Sequence, residues 1–197
     1  QKSSVMDGQL CPQSLPKAMY TWKQMTVILF VPRAVTVHTP IRDATITSMT
    51  VTLICPVWQA IVAGNSDMTF NDCTAECGSY FALTHCVNGW QEEVADITVT
   101  GGDIHTKKEC VLVKSHNMML DLCDVNISSD KGILVHTIVN DDPCATKVTK
   151  DVFGVNVVMT DMDVKGDLLH EDTTREMWVM LNSTQLTGAI QHANVAF

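Results

Sequence analysis

Basic residues are scarce in this chain. It carries 13 Lys and Arg against 22 Asp and Glu in 197 residues, a formal net charge of −9. No Lys or Arg occurs between Arg42 and Lys107, and Lys107-Lys108 is the only basic pair. Nucleic-acid binding through phosphate neutralisation needs clustered cations, so none is expected. Long apolar runs are missing too. Crossing a bilayer as a helix takes about 20 apolar residues, whereas the run 25–31 stops at Pro32-Arg33 and the next is broken by Pro56. No membrane span is expected. Catalytic signatures are likewise absent: there is no Gly-x-Ser-x-Gly elbow, no His-Glu-x-x-His, no phosphate-binding glycine loop and no dinucleotide fingerprint. The histidines (His38, His85, His105, His116, His136, His170 and His192) are scattered and sit in no recognised nucleophile setting. No catalytic residue and no cofactor is assigned, and the chain is not expected to be an enzyme.

What is present is a core and a strand pattern. The chain is 46% hydrophobic and only 18% charged, which argues against disorder. β-Branched residues are abundant and the hydrophobic period is mostly two, the pattern of half-buried strands. Ala95, Ile97 and Val99 alternate with Asp96, Thr98 and Thr100, and a Gly101-Gly102-Asp103 turn follows. Val155, Val157 and Met159 form another such face, and Ala193, Val195 and Phe197 a third. The stretch 44–55 alternates with a slip at Ser48, which reads as a bulge. The stretch 133–139 is apolar on both faces apart from His136 and Thr137 and is expected to be a central strand. Two segments carry helical signals, one at 71–86 and one beginning at the capping-box form Thr173-x-x-Glu176. No internal repeat and no linker is visible. The expectation is a mainly β protein, an antiparallel β-sandwich or jelly-roll-like fold with one or two short helices, built as a single domain over residues 1–197, with a split near residue 100 as the alternative.

Eight cysteines, Cys11, Cys55, Cys73, Cys77, Cys86, Cys110, Cys123 and Cys144, are candidates for disulfides. Their share of the chain is low for a disulfide scaffold, and buried free thiols are the alternative. Cys73, Cys77, His85 and Cys86 form a weak zinc pattern, because the second pair is adjacent; no metal is expected. Asp161, Asp163, Gly166, Asp167 and Asp172 approach a calcium loop but place Lys165 where an oxygen ligand belongs, so a solvated acidic turn is expected. Asn126 and Asn182 open Asn-x-Ser/Thr sequons and are candidate glycosylation sites. The tryptophans Trp22, Trp58, Trp90 and Trp178 are expected in the core.

The order of Trp178, a polar turn and a closing alternating segment resembles the last two strands of picornavirus-like coat proteins, over a short stretch with no identifying motif. No family is assigned on it. The start at Gln1 points to release from a longer precursor. Together these features suggest a non-enzymatic structural protein that assembles with copies of itself or with partner subunits, as a viral coat or surface protein of the virion or the extracellular space. The stretch 43–106, free of Lys and Arg, is the expected contact surface, with Thr50 and Thr52 on its outer face. The alternative is a secreted, disulfide-bonded glycoprotein recognition module, and a weaker third reading is a hydrolase with a motif-free site.

Overall fold

The computed structural model describes residues 27–30, 35–36, 45–49, 51–55, 60–63, 66–84, 94–115, 117–139 and 154–197. Every strand pair among them is parallel. Parallel neighbours cannot be joined by a hairpin and need a long return path. Here strands of the other faces supply that path, so the chain winds as a coil.

Successive turns of the coil carry β1 (Val27–Phe30) and β2 (Val35–Thr36), then β3 (Thr45–Met49), β4 (Val51–Cys55) and β5 (Ile61–Ala63). Next come β6 (Ser66–Cys77) and β7 (Ala82–Thr84), followed by β8 (Val94–Thr106) and β9 (Val111–Val113). β10 (Asn117–Cys123), β11 (Asn126–Ser129) and β12 (Ile133–Thr137) form another turn. β13 (Val155–Thr160), β14 (Asp163–Lys165) and β15 (Asp167–His170) repeat it. β16 (Met177–Asn182), β17 (Gln185–Thr187) and β18 (Ile190–Gln191) repeat it again, and β19 (Asn194–Ala196) stacks on β16.

The first face is β3, the leading half of β6, the leading half of β8, β10, β13, β16 and β19. The second holds β1, β4, the trailing halves of β6 and β8, β11, and then the pair β14–β17. The third runs in the order β18-β15-β12-β9-β7-β5-β2. This is a parallel β-helix, a repeat architecture in which each turn packs only on its neighbours.

The corner between the first and second faces has a specific cause. Asp72, Gly101, Asp124, Asp161 and Ser183 occupy it in successive turns, all at positive φ between 47° and 70°. Asp, Asn and Gly tolerate this left-handed conformation best. A Cβ at Gly101 would meet only the tip of the Asp72 side chain, Oδ1 at 2.6 Å, which can turn aside, so it is the backbone conformation that favours glycine there. The ladder continues across the corner, with Asp124 N–H donating to Thr160 O and Asp161 N–H to Asn182 O, both at 3.0 Å.

Inside the coil, like side chains stack in columns. Met68, Ile97, Leu120, Val157 and Val179 form one column by register, and Phe70, Val99, Leu122, Met159 and Leu181 another. All of them are buried. Phe70 meets Phe81 edge to face, with ring centroids 5.9 Å apart.

Several expectations are corrected here. The protein is not an antiparallel sandwich or jelly roll, because the pairing is parallel throughout the described residues. No helix occurs among them: Ser66–Cys77 is a strand, and Thr173-x-x-Glu176 lies in a turn where Asp172 Oδ1 accepts from the Thr174 N–H at 2.9 Å. The likeness to coat-protein strands fails on direction, since β16 and β19 pair in parallel, and with it go the capsid and viral readings. The stretch 133–139 does hold an interior strand of its sheet. It is not buried throughout, because Val139 is 54% exposed. No helix of the described residues is long and apolar enough to cross a membrane. Thr50, the side chain of Thr52, Trp22, Trp58 and Trp90 lie outside the described residues.

Candidate functional site

The loop from β15 to β16 is built on a buried ion pair. Arg175 Nε lies 2.9 Å from Asp172 Oδ2, and both side chains are inaccessible to solvent. Arg175 Nη2 donates to the carbonyls of Val113 at 3.4 Å and Ile138 at 3.3 Å, where two earlier turns leave the third face. His170, also buried, faces Arg175 O through Nε2 at 2.9 Å. A carbonyl only accepts, so Nε2 carries the proton. Nδ1 then accepts from the Thr137 hydroxyl. The loop is thus pinned to the stack at several points, and its polar rim is held in place.

That rim opens a cleft of about 480 Å³ against the following turn. Glu171, Thr173 and Glu176 stand on one side, and Gln191, His192 and Asn194 on the other. All six are exposed. Beside it, on the outer surface of the first face, Trp178 is 46% and Met180 is 45% exposed. Trp178 Nε1 donates to Glu176 Oε2 at 3.0 Å. The register places Trp178 between Asn156 and Asn194, and Met180 between Val158 and Ala196. The expectation that Trp178 is core is therefore corrected: Met177, Val179 and Leu181 point inward and Trp178 points out. Since Met177 to Leu181 is apolar without a break, alternation in hydrophobicity gave no signal of this.

A second polar cluster bridges three turns at the third face. Glu109 Oε1 accepts from Lys131 Nζ at 3.2 Å and faces His136 Nδ1 at 3.4 Å. His136 Nε2 lies 3.3 Å from Glu171 Oε1. Burial pushes the Glu109 carboxyl up, but the hydrogen bonds from its own backbone, Lys131 and His136 and the Lys131 charge outweigh it, and the net shift is downward. A third group lies on the second face: His105 Nδ1 is 3.1 Å from Ser128 Oγ, and Nε2 is 3.3 Å from Asp130 Oδ1. The residues Ser, His and Asp are those of a nucleophilic triad, but the ring nitrogens are exchanged, since a triad sets Nε2 on the serine and Nδ1 on the carboxylate, and Asp130 is exposed where a triad carboxylate is buried.

Cys73, Cys77, Cys110 and Cys123 form no disulfide, which corrects the disulfide expectation for these four. Burial pushes the Cys73 and Cys110 thiols up to about 12, the behaviour of inert core groups rather than of metal ligands. Cys11, Cys86, Cys144, the side chain of Cys55 and His85 lie outside the described residues. No group of His, Cys, Asp and Glu suited to a metal occurs among the described residues. Asp161 forms the corner of its turn and Asp172 holds Arg175, so these two calcium-loop positions are structural. Asn126 and Asn182 are both exposed. Asn126 Nδ2 donates to Asp103 Oδ1 at 2.9 Å, and Asn182 Nδ2 to Thr160 Oγ1 at 3.4 Å.

Comparison with protein-family models, curated proteins and solved structures finds no match to this chain.

Proposed function

We propose that this chain is a non-enzymatic contact module, a rigid β-helix that takes part in a larger assembly by holding a partner on the outer surface of its first face. The observation that carries this reading is the adjacent exposure of Trp178 and Met180 on a flat ladder. Large apolar side chains are seldom left side by side in water without a use, and Trp and Met are enriched at contact surfaces. Both side chains point away from the core, so they can be changed without opening it. The test is the double variant Trp178→Lys, Met180→Lys. Sedimentation of the chain alone at micromolar concentrations, and retention of partners from its native source, are compared with the unaltered protein. Loss of association at unchanged melting temperature supports the reading; identical association by both proteins overturns it.

A second reading, a hydrolase, draws on the residue types His105, Ser128 and Asp130 coming together on the second face. A fluorophosphonate probe separates the two. Covalent labelling at Ser128, lost in His105→Ala, overturns the non-enzymatic reading.

A further inference from the structure

We propose that the cleft and Trp178 together form a binding site for a neutral glycan. The inference rests on the contact reading above and names the class of partner. Three features converge on it. First, Trp178 offers a half-exposed indole on the outer side of β16, with Glu176 fixing its ring nitrogen. One apolar face of a pyranose ring matches such a surface, and aromatic side chains combine an apolar body with a polar tip at such contacts. Second, the groups around it suit hydroxyls. Sugar hydroxyls both donate and accept; Glu171 and Glu176 accept, while Gln191 and Asn194 do both. These residues line the cleft, and two of them adjoin Trp178: Glu176 through its hydrogen bond and Asn194 as its ladder neighbour. Third, the charge selects against anions. The rim holds two carboxylates, the chain has net charge −9, and Arg175 lies buried against Asp172. A sulfated, phosphorylated or uronic-acid chain would meet repulsion there. The rim is also anchored: the Asp172–Arg175 pair and His170 hold the loop before any ligand arrives, which lowers the ordering cost of binding.

The experiment uses the full chain against immobilised neutral oligosaccharides built from glucose, galactose, mannose and N-acetylglucosamine, with sulfated and uronic-acid oligosaccharides beside them. The expected result is saturable binding to at least one neutral series. Binding should weaken by about tenfold or more in Trp178→Ala and in Gln191→Ala, and remain unchanged in Asp121→Ala, which sits on the same face away from the cleft. Binding only to anionic chains, binding that Trp178→Ala leaves intact, or no binding to any neutral series overturns the inference. If no neutral oligosaccharide binds while the Trp178→Lys, Met180→Lys variant still loses its partners, the glycan inference falls and the contact reading stands. If that variant loses nothing either, both fall.

Discussion

Arg175 is the side chain that ties the loop from β15 to β16 to the earlier turns. It neutralises Asp172 and satisfies carbonyls from two other turns. Removing one partner of a buried pair strands the other, so Arg175→Ala should cost about 3–5 kcal/mol, read as a lower denaturant midpoint at unchanged slope. Glu109 makes a different prediction. Its folded carboxyl lies below the ordinary 4.5, so the unfolded chain takes up a proton first as the solution is acidified. The stability that Glu109 contributes is complete above its unfolded value and is lost as pH falls through the folded one. In Glu109→Gln that acid-side loss should be shallower, and an unaltered pH profile of melting would contradict the assignment. The thiols give a third check. Cys73 and Cys110 should resist alkylation at mild alkaline pH until the chain unfolds, whereas half-buried Cys123 reacts first. Rapid modification of all of them in the folded state would show that the core is open.

At the scale of strands, much was legible in the sequence and one property was not. The alternation Ala95, Ile97, Val99 and the alternation Val155, Val157, Met159 named the inward residues correctly. Period two reports which face a side chain takes; it does not report whether the neighbouring strand runs the same way. Parallel pairing was therefore invisible, and with it the architecture. The turn Gly101-Gly102 was visible as a break, but it is a bend within one long strand and not the end of a hairpin. Gly102 shows why: at φ 92°, a Cβ would stand 2.2 Å from the carbonyl oxygen of Cys73. Gly102→Ala should destabilise by more than the roughly 1–3 kcal/mol of local backbone strain, measured by thermal melting. A neutral substitution would mean that the corner is looser than it stands here. The candidate site was the least legible part. Its carboxylates and amides are ordinary surface residues in the sequence, and only winding sets Glu171 and Glu176 opposite Gln191 and Asn194.

The repeat escaped notice because its turns differ in length. Leu120 stacks on Val157, and Val157 on Val179, yet the first step along the chain is much longer than the second. A fixed period, the usual mark of a solenoid, is absent, although the columns in space are regular. Stability in such a stack is a sum over turns and the contacts between them. Leu120, buried between Ile97 and Val157, touches both sides of that sum. Leu120→Ala should cost about 2–5 kcal/mol, and hydrogen exchange should then accelerate in β8, β10 and β13 more than in β16. Uniform acceleration across the chain would indicate a single cooperative block instead. The unequal steps have another consequence. The register of β13 on β10 is as regular as that of β16 on β13, so the lattice of the coil records spatial order and disregards contour length.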